Sequence, residues 1–224
     1  MITIFFKICC CLGATLLTRL LLAGAKKDMD FAVDGNPIAY SRTCKTIVCA
    51  AVIFSCVVII LSPTQTATFY GAVTFPYLIT CAVTDHYTRL TYSSGFWALA
   101  LLSAVMEFAT SGTIYSILIY AISGLMGITK AYGLGDCGMA SIAGGYLAAT
   151  LSSEQMPFLC DAPVGWIGGQ LIAIMIAEII FVIIQIKNKN MKSAVELKKP
   201  APLGPSLAVG TAATIAVALF QIYL

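Results

Sequence analysis

Apolar residues in this chain fall into eight stretches, at 2–24, 44–61, 67–83, 95–109, 113–129, 138–151, 163–186 and 203–224, with short polar breaks between them. A helix standing upright in hydrocarbon needs about 20 apolar residues, and several of these stretches come close to that length. The shorter ones predict tilted or re-entrant neighbours. The pattern therefore predicts an all-α fold: a polytopic transmembrane helix bundle of about eight helices. The longest polar stretches, 26–42 and 187–202, leave no room for a soluble domain, so 1–224 reads as a single membrane-embedded domain.

Charged residues give this bundle a direction. Lys26, Lys27, Arg42 and Lys45 flank one break, Arg89 lies in another, Lys130 precedes a third, and Lys187, Lys189, Lys192, Lys198 and Lys199 fill a fourth. With alternate crossings all four breaks fall on one side. The intervening breaks, 62–66, 110–112 and 152–161, contain no Lys or Arg. The positive-inside rule then predicts that the basic side is cytoplasmic, that both termini lie outside, and that the protein is multi-pass in the inner (cytoplasmic) membrane. Lys7 and Arg19 interrupt the first stretch close enough to its ends to snorkel.

Composition agrees with the lipid bilayer as the chain's partner. The residues are 59% hydrophobic and 10% charged, and mean hydropathy is +0.93, which excludes an ordinary soluble domain. A net charge of +3 suits an anionic leaflet. Aromatics are not interleaved with a basic patch, so no nucleic-acid partner is expected. Ala23-Gly24-Ala25 has the look of a signal-peptide end, but Arg19 and the Lys26-Lys27 flank favour a retained helix. The nine cysteines show no C-x-x-C spacing and read as small packing residues; neither metal nor cofactor is expected.

Two aspartates stand out against this background. Asp85 follows the third apolar stretch, and Asp136 closes the tetrapeptide Gly133-Leu134-Gly135-Asp136 before the sixth. A carboxylate at the margin of a membrane helix is costly, which makes both functional candidates. Two carboxylates that meet in a low-dielectric setting cannot both ionise cheaply, so the pair shares a proton. One member can then take a proton from water while the other donates to a carbonyl oxygen, as hydrolysis of a peptide bond requires. The flanking glycines are expected to let the backbone turn and let substrate approach closely. Farther on, Pro202, Gly204 and Pro205 prevent a regular helix entry to the last stretch and predict irregular backbone lining a polar cleft.

These residues carry a family resemblance. The run Gly133-Leu134-Gly135-Asp136-Cys137-Gly138-Met139, followed by Gly145-Tyr146-Leu147, resembles the G-x-G-D segment of type IV prepilin peptidases, membrane aspartic proteases that remove prepilin leaders. Asp85 with His86-Tyr87-Thr88-Arg89-Leu90 is similar to that family's first aspartate, and the stretch from Pro202 through Gly204 and Pro205 to Gly210 resembles the entry to its last helix. The family-like core spans about 67–224. The chain departs from the family pattern at Gly138, where a lysine is usual, and at Thr91 and Tyr92, where an isoleucine-proline pair is usual. The resemblance implies catalysis by Asp85 and Asp136, with Gly133, Gly135, Pro202, Gly204 and Pro205 shaping the site. It further implies a prepilin-like or pseudopilin substrate helix, cut after glycine, and no metal or other cofactor. The short first loop lacks the cysteine motifs of bifunctional members, which implies a cleavage-only form.

Other readings fit some of these features. A presenilin-like or signal-peptide-peptidase-like protease also uses a G-x-G-D element. A small proton-coupled transporter could use Asp85, Asp136 and Glu178, although Glu178 reads first as a hydrogen-bonded structural group. A scaffold that binds pilin-like helices without cutting them fits the departures from the family pattern. His86 reads as solvated rather than catalytic.

Overall fold

The computed structural model describes residues 2–28, 36–88, 90–92, 96–111, 134–151 and 203–223, with isolated positions at 117, 118, 121 and 125. Glu178, Cys160, Arg89, the basic run 187–199 and the apolar stretch 163–186 lie outside the described residues, and so does 113–129 apart from those isolated positions. The described residues form six helices: α1 (Ile2–Lys27), α2 (Arg42–Leu61), α3 (Gln65–Thr88), α4 (Phe96–Ser111), α5 (Leu134–Leu151) and α6 (Leu203–Tyr223). Three of them, α1, α2 and α3, are long and apolar enough to cross a membrane. The all-helical architecture is that of a helical membrane protein.

α3 is the axis of the bundle. In its apolar window 72% of residues are buried, against 22% for α1 and 17% for α2, so α3 is enclosed while the other two keep a broad apolar face outward. Two core clusters share it. Tyr70, Ala72 and Phe75 pack with Cys10 and Ala14 of α1, Val58 and Ile59 of α2, Tyr146 of α5 and Ile215 of α6. Nearer the other end of α3, Tyr77, Leu78 and Cys81 pack with Leu99 of α4, Met139, Ile142 and Ala143 of α5, and Leu207 of α6. Gly71 permits a close approach: a Cβ there would lie 3.3 Å from Cε2 of Tyr146, whose ring also packs edge-on against Phe75 at 4.9 Å.

Several hydroxyls inside the bundle are satisfied within their own helix, as an apolar surrounding favours. The hydroxyls of Thr18, Ser55, Thr80, Thr88 and Thr211 each donate to the carbonyl four residues back in their own helix. Pro76 sits inside α3 although its ring removes a backbone donor. Lys7 does more than snorkel. Its Nζ donates to the carbonyls of Ile60 at 2.6 Å and Ser62 at 2.9 Å, closing the C-terminal end of α2, where unpaired carbonyls gather.

Two helix ends differ from the hydropathy pattern by more than three residues. The third apolar stretch stops at residue 83, but α3 continues through Asp85 to Thr88; the sixth starts at 138, but α5 begins at Leu134. Both aspartates therefore lie within helices rather than beyond them. α2 begins at Arg42, where Ser41 caps it by accepting from Cys44 N at 3.1 Å.

Candidate active site

One end of the bundle collects the C-terminal ends of α1 and α3 and the N-terminal ends of α2 and α6. Tyr40 Oη donates to Leu22 O at 2.9 Å, which joins the segment before α2 to α1. Tyr87 Oη accepts from Ser41 N at 3.0 Å, which joins α2 to α3. Lys26, Lys27, Arg42 and Lys45 thus gather at the same end as Asp85.

Asp85 is 7% exposed, in the last turn of α3. A carboxylate buried this deeply requires a donor, because an uncompensated buried charge costs several kcal/mol, on the order of the whole stability of many domains. The donor comes from the far end of the chain. Gly204 N, at the start of α6, donates to Asp85 Oδ2 at 2.8 Å. Helix N-termini present unpaired N–H groups and a positive dipole end, so α6 is a natural seat for a carboxylate. The absence of a side chain at Gly204 permits the approach: a Cβ there would stand 3.0 Å from Oδ2, 3.1 Å from Cβ and 3.3 Å from Cγ of Asp85.

Asp136 lies in the first turn of α5 and is partly exposed, so water can reach it while Asp85 is enclosed. A second helix N-terminus is therefore present at the site. The buried thiol of Cys81, one helical turn before Asp85, lies within electrostatic reach of both carboxylates. Gly135, just before Asp136, is filled on the side where a side chain would project. The space its side chain would fill is held by Thr91, whose Cβ and Cγ2 would lie 2.7 Å and 2.8 Å from a Cβ at position 135.

No known family model, curated protein or solved structure matches the chain.

Gly204 meets Asp85, and Pro205, the next residue, lines an adjacent groove. Gly133 and Pro202 lie outside the described residues. The groove, about 680 Å³, runs between α2, α3 and α6 past Ile47, Phe54, Leu78, Ala82, Val209 and Ala212. Its polar mouth is formed by Ser41, His86 and Tyr87. His86 is exposed and stacks edge-on against Tyr87 at 5.2 Å. Among the described residues no three His, Cys, Asp or Glu side chains gather to hold a metal.

Sequence reasoning missed Thr91 and Tyr92 as parts of the site. Tyr92 O accepts from Tyr77 Oη at 2.9 Å and from Cys81 Sγ at 3.6 Å, and Tyr92 N donates to Thr84 Oγ1 at 3.2 Å. The available signal was the spacing of Tyr77, Cys81 and Thr84, three hydrogen-bonding residues on one face of α3.

Proposed function

We propose that this chain is an intramembrane aspartic endopeptidase that removes the basic leader of type IV prepilin-like or pseudopilin precursors, after glycine, at the cytoplasmic face of the inner membrane. The observation that carries the reading is the seating of buried Asp85 on the N-terminus of α6, with Asp136 in the first turn of α5, next to Gly135, which rests on Thr91 just beyond α3. The three sequence elements that resemble the prepilin peptidase family, around Asp85, Asp136 and Gly204, converge at one end of the bundle. Alternate crossings alone would bring these elements to one face, but the contacts of Gly204 with Asp85 and of Thr91 with Gly135 go beyond that, which supports a common task.

In the proposed reaction the two carboxylates hold one proton between them. The ionised member takes a proton from water as the water oxygen bonds to the scissile carbonyl carbon, and the protonated member donates to the carbonyl oxygen. Collapse of the tetrahedral intermediate breaks the C–N bond, and the proton taken from water goes to the leaving amine. The Gly204 N–H sets the rotation of the Asp85 carboxylate, and the amide dipoles of α5 and α6 favour negative charge between them. The apolar groove offers the substrate's membrane helix a lipid-depth seat, and its mouth at His86 adjoins Asp85. In this reading about eight helices cross the membrane, with both termini outside.

The test is cleavage of a detergent-solubilised prepilin by the purified full-length protein, with Asp85→Asn and Asp136→Asn in parallel and mass spectrometry of the product. Leader loss after glycine that vanishes in both variants supports the proposal. Cleavage that survives either substitution, or no cleavage by folded wild-type protein, refutes it.

A further inference from the structure

We infer that Thr91 and Tyr92 form a strap that locks the first turn of α5, and with it Asp136, against the end of α3 that carries Asp85. The inference rests on the peptidase reading for its catalytic consequence, but the lock is a matter of geometry. After α3 ends at Thr88 the chain doubles back. The Thr88 hydroxyl starts the reversal by accepting from Leu90 N at 3.2 Å.

Two residues later the peptide groups of Tyr92 lie along α3, where three side chains hold them. Tyr77 and Cys81 donate to its carbonyl, and Thr84 accepts from its N–H. Backbone groups in an apolar interior must be paired, and here polar side chains of a buried helix pair both groups of one strap residue. Tyr77, Cys81 and Thr84 recur at helical spacing on the face that leads to Asp85.

The strap is anchored on α3 and presses outward in two directions. Thr91 occupies the space next to Gly135, so the residue before Asp136 rests on it. The Tyr92 ring reaches α1, where a Cβ at Gly24 would stand 2.9 Å from its Oη. Only a glycine at 135 admits this contact, since any Cβ there would overlap Thr91. Two carboxylates sharing a proton must be held to about 0.5 Å, and side chains on separate helices achieve this only if something fixes one helix on the other. Thr91 and Tyr92 are positioning residues in this sense, and Tyr77 and Thr84 support them.

The experiment is a size-swap cycle in the full-length protein: Gly135→Ala, Thr91→Gly and the double variant, with Tyr77→Phe as a milder fourth. Each is purified in detergent and assayed for prepilin cleavage per folded molecule and for thermal unfolding. The lock predicts that Gly135→Ala lowers kcat at least tenfold with KM within twofold, and that the double variant recovers most of both kcat and unfolding temperature. Tyr77→Phe is expected to lower kcat several-fold at unchanged KM. Coupling in unfolding temperature without coupling in kcat would show a structural contact that positions nothing catalytic, and would overturn the inference. Additive effects in both would show that the Thr91–Gly135 contact is not formed, and would overturn it as well. If wild-type protein is folded but inert, the peptidase reading falls by itself, and the lock is decided by the unfolding cycle alone. If Gly135→Ala does not fold, recovery of folding by Thr91→Gly in the double variant supports the lock, and its failure to recover refutes it.

Discussion

Gly204 and Asp85 are 119 positions apart in the chain, yet the backbone N–H of the first donates to Oδ2 of the second at 2.8 Å. This bond closes the bundle end around the candidate site, because it ties the start of the last helix to the end of the central one. A methyl group at position 204 would press on three atoms of the Asp85 side chain at 3.0–3.3 Å. Gly204→Ala is therefore expected to shift the carboxylate by a few tenths of an ångström. The cost in stability is about 1 kcal/mol, at the lower end of overpacking effects. The unfolding temperature should then fall by roughly 3 °C. Cleavage should fall more steeply, by about tenfold or more, since the reaction depends on the carboxylate's position. Parallel thermal unfolding and cleavage assays check this, and a variant with wild-type values in both would refute it.

Lys7 provides a contrast, because it is a charged membrane residue with a structural task. It donates to two carbonyls at the end of α2. Lys7→Met leaves those acceptors short of a donor and is expected to cost about 2 kcal/mol, the size of a hydrogen bond to a charged group. Unfolding in detergent should report the loss, while cleavage per folded molecule stays at the wild-type rate.

The groove between α2, α3 and α6 makes a separable prediction. Ala212 lines it away from Asp85, so Ala212→Trp should fill the substrate helix's seat without touching the aspartates. KM is expected to rise about tenfold with kcat within twofold, the signature of lost uniform binding. An unchanged KM for a full-length precursor would exclude the groove as that seat.

Tyr40, outside the helices, gives a pH dependence. Burial, then the neighbouring Cys44 and Tyr87, push its phenol up from 10.0 to about 12. A folded-state value above the unfolded one means the proton is held more tightly in the folded protein. The stabilisation is full below about pH 10 and is lost as pH rises through about 12. Melting curves between pH 9 and 12 should therefore fall more steeply for wild type than for Tyr40→Phe, which carries no ionisable group at this position.

The hydropathy of the chain anticipated the helices well where their surroundings are apolar. α1, α2, α4 and α6 coincide with apolar stretches to within three residues at either end. It failed where α3 and α5 carry polar residues into the protein. Hydropathy drops at Thr84, Asp85 and His86, but α3 continues, because Thr84 and Thr88 bond carbonyls of their own helix and Asp85 receives Gly204. Likewise α5 starts four residues early, with Asp136 in a first turn that favours negative charge.

Asp85, Asp136, Gly204 and Pro205 were legible as candidates from residue type alone, since a carboxylate or a broken helix entry in an apolar setting is costly wherever it folds. Thr91 and Tyr92 were legible only as departures from a pattern. Their contacts with Gly135 and with the Tyr77, Cys81 and Thr84 side chains link segments that share no sequence signal.

By itself, then, the sequence determined that the chain folds as apolar helices and which residues would be expensive to bury, because both follow from local transfer free energy. Only the tertiary structure decided what offsets those costs. A donor from α6 for Asp85, a threonine in the space beside Gly135 and a lysine on the carbonyls of α2 all come from distant segments, and proximity between distant segments is set by packing rather than by local composition.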